Sequence, residues 1–177
     1  EFNPMFSKVS PYYKKYNKMI ANLEVTLGGA EKGYSSYPMF NTPDSIATAL
    51  KNAGVDMVLT SNNHTYDTGT AGMKRTLQVL DGIGMEYTGT RISSSGPRFK
   101  ISNINGINVG MMCYTYETQS STAGRKALNG LLLSAEAGPL VNSFDYNNLS
   151  KFYSDAQDSI AQMKNQGAEA IVFFMHW

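Results

Sequence analysis

Short apolar runs along the chain predict its β-strands. These runs are residues 18–25, 55–59, 86–89, 98–104, 107–116 and 168–175. The pair Asn105-Gly106 separates two of them, and Asn-Gly between strand-like runs is a strong signal for a β-hairpin. Residues 26–41 are rich in Gly, Ser and Tyr, and residues 117–145 show no clear period, so both segments are predicted to be mainly loops.

Apolar residues spaced three or four positions apart predict four helices, at about residues 3–16, 42–53, 70–83 and 146–166. The positions with this spacing are Met5, Phe6, Val9, Tyr12, Tyr13 and Tyr16; Ile46, Ala49, Leu50 and Ala53; Met73, Leu77, Leu80 and Ile83; and Leu149, Phe152, Tyr153, Ala156, Ile160 and Met163. Pro11 is expected to kink or break the first helix. Thr42 and Pro43 predict the start of the second, with a capping hydroxyl and a proline at the first helical position.

The order of these elements predicts an α/β fold, in which mixed β-sheet layers are flanked by helices. No internal repeat and no linker-like segment divides the sequence, so residues 1–177 are predicted to form a single domain. The chain starts without a methionine and stops within an apolar run. We therefore expect it to be a fragment of a longer protein, with a fold that is incomplete at both ends.

Composition narrows the class of protein. Hydrophobic residues make up 42% of the 177 residues and charged residues 16%, which is typical of a globular chain. The formal net charge of +1 and the absence of a Lys/Arg-rich run argue against a nucleic-acid partner. The single cysteine, Cys113, excludes an internal disulfide, and its apolar surroundings predict a buried thiol rather than a nucleophile.

Three predicted strands end in residues that can bind metals or transfer protons. These residues are Asn22 and Glu24 after the first strand, Asn62, Asn63, His64 and Asp67 after the second, and His176 at the end of the last. Both histidines of the chain are among them. Ligands of open α/β sheets bind outside the carboxyl ends of the strands, so we expect these groups to share one site.

The residue types at these strand ends suit metal-assisted chemistry. Carboxylate, amide oxygen and imidazole are ligands for Mn, Fe, Mg or Zn, and such an ion polarises a phosphoryl oxygen. His64 beside Asp67 could act as a general acid. Simpler interpretations stay open, because Asn62-Asn63 also suits a polar turn, Glu24 a solvated strand end, and His176 an exposed ring.

At these motifs the sequence resembles the bacterial capsule-synthesis family of CapA type, which is associated with poly-γ-glutamate capsules. The resemblance is carried by FNPMFSKVSPYYKK, IANLEVTLGG, YPMFNTPDSIATALKNAGVDMVLTSNNHTYDTGTAGMKRTL and AIVFFMHW, in this order. It implies a fold like that of the calcineurin-like metallophosphoesterases, with two divalent metal ions at strand ends in the complete protein. The Gly-Asp strand with which members usually begin and their last histidine motif are not in this chain, which therefore holds about half of the ligand shell.

The resemblance also implies a role for each candidate residue. The assignments are Glu24, Asn63 and His176 as metal ligands, His64 and Asp67 as catalytic residues, and Asn22 and Asn62 as substrate-binding residues. Glu24 would stand where related phosphoesterases place a bridging carboxylate, more often an aspartate. His64 would act as the acid that contacts the phosphate or the leaving group, with Asp67 supporting it.

Three functions are compatible with these observations. The leading hypothesis is a metal-dependent phosphoesterase-like protein that acts in poly-γ-glutamate capsule or cell-envelope polymer biosynthesis. The second is a non-catalytic accessory subunit of a membrane-bound capsule polymer synthase or export complex. The third is a carbohydrate-binding module built on Tyr34 and Tyr37. By resemblance, the expected partners are capsule polymer synthase components and polyglutamate, and the expected location of the full-length protein is extracytoplasmic and membrane-associated.

Overall fold

The computed structural model describes residues 2–177, and these residues form an α/β fold. The strands are β1 (Ile20–Asn22), β2 (Met57–Leu59), β3 (Glu86–Thr88), β4 (Lys100–Ile104), β5 (Ile107–Tyr116), β6 (Ala127–Leu128), β7 (Leu131–Leu132), β8 (Ser143–Phe144) and β9 (Ala170–His176). The α-helices are α1 (Ser10–Tyr13), α2 (Ser45–Ala53), α3 (Gly69–Gly82) and α4 (Leu149–Asn165). Within residues 2–177, no helix has the length and apolar character that crossing a membrane requires.

The first sheet is parallel, in the order β1-β2-β3. Its register aligns Asn22 with Leu59, and Leu59 with Thr88. The carboxyl ends of the three strands therefore lie side by side at one edge, as the sequence predicted for β1 and β2. Helices α2 and α3 contribute to the core under this sheet, together with Leu23, Val58 and Leu77.

The second sheet is mixed and is built around the long strand β5. Strand β4 pairs antiparallel with β5 across the predicted Asn105-Gly106 turn, and β8 and β9 pair parallel with β5. Thr115 of β5 is aligned with Ser143 on one edge and with His176 on the other. Helix α4 covers this sheet through aromatic residues such as Phe152, which packs against Tyr114. The predicted α/β architecture of mixed sheets flanked by helices is confirmed.

Backbone pairing beyond the ends of β3 and β8 joins the two sheets. The N–H of Asn142 donates to the carbonyl of Gly89 at 2.9 Å, and the N–H of Arg91 donates to Leu140 at 3.0 Å. The thiol of Cys113 donates to the carbonyl of Ser61 at 3.3 Å, which brings the segment after β2 against β5. Burial raises the pKa of this thiol to about 12, in agreement with the predicted unreactive cysteine.

The structure corrects several predicted elements. The second helix begins at Ser45 instead of Thr42, because Thr42 donates its N–H to Thr26 and so extends a bridge between loop segments. Tyr153, predicted on the buried face of α4, is 55% exposed. The first predicted helix is divided into a 3-10 helix, Asn3–Phe6, and α1, and Pro11 lies in the first turn of α1 instead of breaking a longer helix.

The segment 117–145 is more ordered than its sequence predicted. It contains the two-stranded ribbon β6-β7, a 3-10 helix at Gly138–Leu140, and β8. It also supplies most of a third group of buried apolar residues, which includes Leu128, Leu133 and Val141. The sequence did not indicate these strands because each is only two residues long and shows no period.

The close approach of Gly89 to Ser61 yields the first prediction. Gly89 has φ of +118°, and a Cβ atom there would lie 2.6 Å from the backbone nitrogen of Ser61. We expect Gly89→Ala to lower the free energy of unfolding by at least about 2 kcal/mol, measured by urea denaturation, because strain and a backbone clash add together. Gly82→Ala is the matched control, since a Cβ there meets nothing within 4 Å. Equal stability of the two variants would contradict this packing.

Candidate metal centre and acid–base pair

The turn after β2 is folded by its own polar side chains. The hydroxyl of Thr65 accepts the N–H of Asn62 at 2.9 Å and donates to the carbonyl of Thr60 at 2.7 Å. The side-chain oxygen of Asn62 accepts the N–H of His64 at 3.1 Å. All four residues are buried. The polar sequence thus makes a turn, as the simpler interpretation had it, and this turn also determines where its functional groups lie.

Asn62 also ties this turn to the end of β1. Its side-chain nitrogen donates to the carbonyl of Leu23 at 2.9 Å and to the side-chain oxygen of Asn22 at 3.1 Å. Asn22 in turn donates to Glu24 Oε2 at 2.8 Å. Asn62 is 0% exposed, so it has no surface with which to contact a substrate. Within the described residues Asn62 thus has a positioning role, and the substrate-binding role of Asn22 and Asn62 stays a prediction.

Three predicted metal ligands converge from three different strand ends. Nε2 of His176, at the end of β9, lies 2.9 Å from Oδ1 of Asn63 in the turn after β2. The same nitrogen lies 3.7 Å from Oε1 of Glu24, which follows β1. The side chains of His176 and Glu24 are 24% and 44% exposed, so the point where they meet is open to solvent. The ring of Tyr116 lies nearly parallel to that of His176.

This donor set fits a divalent ion as part of a coordination shell. The three donors are a carboxylate oxygen, an amide oxygen and an imidazole nitrogen, which are all hard or borderline ligands. They lie close enough together to contact one ion. Among residues 2–177, however, no three side chains of the types His, Cys, Asp and Glu lie close enough to hold a metal. The described chain therefore offers Glu24, Asn63 and His176, while such ions take about four to six ligands.

His64 and Asp67 form a buried pair one residue beyond Asn63. Nδ1 of His64 lies 2.8 Å from Oδ2 of Asp67, and their side chains are 8% and 0% exposed. A carboxylate only accepts hydrogen bonds, so Nδ1 carries the proton and Nε2 is the nitrogen left for chemistry. Oδ2 of Asp67 also accepts the N–H of Phe40 at 2.7 Å, and the ring of Phe40 packs edge-on against the imidazole.

The structure thus brings together all seven residues selected from the sequence. Glu24, Asn63 and His176 meet at one point. His64 follows Asn63 in the chain and pairs with Asp67, and Asn22 and Asn62 link the strand ends. Sequence reasoning missed Phe40, Tyr116 and Asn129, whose side-chain nitrogen lies 3.4 Å from Nδ1 of His64. No local pattern marks these three, because they come from loops or strand ends far away in the sequence.

Comparison with known proteins places these residues in a family. The model of the family described as bacterial capsule synthesis protein PGA_cap matches residues 1–177. The capsule biosynthesis protein CapA of Bacillus anthracis is 26% identical over 183 residues, which cover 98% of this chain and 40% of that protein. The chain thus spans less than half the length of this relative. A 5'-nucleotidase precursor from Thermus thermophilus superposes with a TM-score of 0.45 and 17% identity, over 75% of this chain and 23% of that chain.

The His64–Asp67 pair predicts a tautomer that can be measured. Long-range ¹H–¹⁵N NMR spectra of neutral His64 should show the proton on Nδ1, because Asp67 accepts it. In Asp67→Ala the proton should move to Nε2, whereas the tautomer of His176 should stay unchanged and serves as the internal control. A proton on Nε2 of His64 in the unmodified protein would contradict the assigned pair.

Proposed function

The chain belongs to the bacterial capsule synthesis protein family, and from this membership we propose that it is a metal-dependent phosphoesterase-like protein acting in the biosynthesis of a poly-γ-glutamate capsule or another cell-envelope polymer. The observation that carries the proposal is the convergence of Glu24, Asn63 and His176, where the residue after Asn63, His64, pairs with Asp67. A bound metal ion and a general acid are two means by which enzymes accelerate phosphate-ester hydrolysis.

In the proposed mechanism, Glu24, Asn63 and His176 hold a divalent ion of the Mn, Fe, Mg or Zn type, with a second ion in the complete site. When bound, the ion supplies Lewis-acid polarisation of a phosphoryl oxygen and a lower pKa for bound water. Asn22 orients Glu24 by its hydrogen bond of 2.8 Å to Oε2, which leaves Oε1 free to face His176. Ligand orientation by such neighbours strengthens metal binding.

As an imidazolium, His64 would donate the proton on Nε2 to the leaving oxygen of the substrate and become neutral, with its remaining proton on Nδ1. Asp67 accepts the hydrogen bond from Nδ1 and so orients Nε2 for this transfer. Phe40 packs against the ring and limits its rotation. Because Asn63 and His64 are consecutive residues of the turn, the proposed acid directly follows a proposed metal ligand in the chain.

A second function is favoured by the incomplete donor set of the described residues. Because no three titratable ligands lie together among residues 2–177, the site would bind metal weakly on its own. The chain would then act as a non-catalytic accessory subunit of a membrane-bound capsule polymer synthase or export complex. In both proposals the partners are synthase components, with polyglutamate as polymer, and the location is extracytoplasmic at the membrane.

Metal content tests the first part of the proposal. Manganese-loaded protein, at the full length that its gene encodes, should contain about one to two ions per chain by elemental mass spectrometry. His176→Ala should lose most of this metal, because it removes the ligand that contacts both other donors. His64→Ala is the matched control and should keep its metal. Protein without bound manganese would exclude the catalytic proposal in favour of the accessory role.

Phosphatase activity tests the second part. The manganese-loaded protein should hydrolyse bis(4-nitrophenyl) phosphate, and His64→Ala should reduce kcat about 100-fold to 10,000-fold, the usual effect of removing a general acid. Metal content measured on the same samples separates loss of the acid from loss of the ion. If the metal-loaded protein releases no nitrophenol, the catalytic proposal is wrong even though metal binds.

A further inference from the structure

A polar cavity of about 580 Å³ lies beside the candidate metal centre, at the same end of the second sheet. Ser143 lies in its wall and is aligned with Thr115, which is aligned on its other side with His176. Neighbouring strands are about 4.8 Å apart, so the backbone of Ser143 is about 10 Å from that of His176. The cavity volume lies in the usual range for small-ligand sites, about 300–1,000 Å³.

A partly buried lysine lies in the wall of this cavity. Nζ of Lys126 donates to Oγ of Ser143 at 2.7 Å and to the carbonyl of Val141 at 3.1 Å, while Ser143 donates to Oε1 of Glu117 at 2.8 Å. The ammonium group is 3.7 Å from the same carboxylate oxygen, and its side chain is only 22% exposed. Lys126 is thus largely removed from water, and its one carboxylate neighbour is shared with Ser143.

The charges around Lys126 leave an excess of positive charge. The cations that line the cavity are Arg125, Lys126 and Lys151, and the carboxylates in its wall are Glu117 and Asp145. Arg91 and Arg98 lie outside this wall, and Asp155 pairs with Arg98 and Lys151. Burial lowers the pKa of Lys126 to about 8; Glu117 opposes this change, whereas the positive charges of Arg98, Lys151 and Arg91 add to it. A buried cation in this environment gains stability from any anion that enters the cavity.

The carboxylates already have partners within the protein. Asp155 pairs with Arg98 at 3.6 Å and with Lys151 at 3.2 Å, and Asp145 accepts the backbone N–H of Asn147 at 2.9 Å. Lys151, whose side chain is 67% exposed, can turn towards a ligand at little cost. Mobile and buried cations on the walls of one cavity are the usual means of holding a carboxylate or a phosphate.

We propose that this cavity binds an oxyanion, a carboxylate or a phosphate, and that it holds a second acidic group of the substrate whose phosphate ester lies at the candidate metal centre. The claim that both sites hold one substrate rests on the proposed function. The substrate class is then a phosphate ester that carries another acidic group at a distance on the order of 10 Å, the separation of the two backbone positions, Ser143 and His176, beside which the sites lie. The aromatic ring of Tyr146, 56% exposed in the wall, supplies an apolar surface for the connecting atoms.

Isothermal titration calorimetry in the presence of a chelator tests the oxyanion site without the metal centre. The probes are inorganic phosphate and a tetramer of glutamate, which separate the two sources of the anion. We expect at least one probe to bind, and Lys126→Met to weaken that binding about 10-fold or more, as loss of a buried charge-assisted hydrogen bond implies. Lys164→Met changes an exposed lysine in the last turn of α4 and is the matched control.

A second variant keeps the oxyanion site testable if Lys126→Met does not fold. Lys151→Gln changes a largely exposed side chain, so the fold should persist. The dissociation constant of the bound probe should rise about three-fold to ten-fold. Absence of binding by both probes, or equal affinity in Lys126→Met, Lys151→Gln and Lys164→Met, would overturn the oxyanion site.

The link to the metal centre has its own readout. In the manganese-loaded protein, the probe that binds should inhibit hydrolysis of bis(4-nitrophenyl) phosphate, and Lys151→Gln should weaken inhibition in parallel with binding. If the probe binds but does not inhibit hydrolysis, the proposal that one substrate occupies both sites is wrong, while the oxyanion site itself is still supported. Loss of all hydrolysis with intact probe binding would instead refute the proposed phosphoesterase function, so the two failures are distinguishable.

Discussion

The buried side-chain amide of Asn62 is the interaction on which the candidate site depends. Its nitrogen donates to Leu23 and Asn22, and its oxygen accepts the N–H of His64. These bonds attach the turn after β2 to the end of β1, so the positions of Asn63 and His64 are determined together. Each of these buried groups would lower the free energy of unfolding by about 1–3 kcal/mol if it had no hydrogen-bond partner. The arrangement that satisfies all of them is therefore favoured over others. That arrangement brings the metal ligands and the acid side by side.

Asp67 shows what this arrangement costs in stability. Its side chain is fully buried, and within residues 2–177 its Oδ1 has no hydrogen-bond partner. A buried carboxylate oxygen without a partner opposes folding, so packing alone does not account for it. The other oxygen accepts from both His64 and Phe40 and thereby controls the tautomer and the orientation of the imidazole. The stability lost at one atom is consistent with a role in which the proton position on His64 matters.

The site was easier to predict from the sequence than the structure around it. Strand ends are visible as short apolar runs, and parallel strands bring their carboxyl ends to one edge, so the grouping of Glu24 with Asn63 follows from local patterns. His176 ends a strand of the other sheet, and the packing of the two sheets brings it to Asn63. Phe40 and Asn129 approach His64 from segments without any period, and only tertiary packing brings them there. Strand β8 was not predicted for a related reason. Its two residues are too few to show alternation, and their pairing with β5 depends on long-range contacts.

The row formed by Ser143, Thr115 and His176 links the candidate metal centre to the neighbouring cavity. Thr115 is fully buried between β8 and β9, and backbone hydrogen bonds on both of its edges hold the row. The backbone separation between the two sites is therefore a property of the strand ladder, while side chains such as the exposed Lys151 determine where within the cavity an anion lies. A phosphate ester without a second acidic group can occupy only one of the two sites. An ester that carries a suitably spaced second acidic group can occupy both, so the proposed oxyanion site would select for that group and not for the phosphate alone.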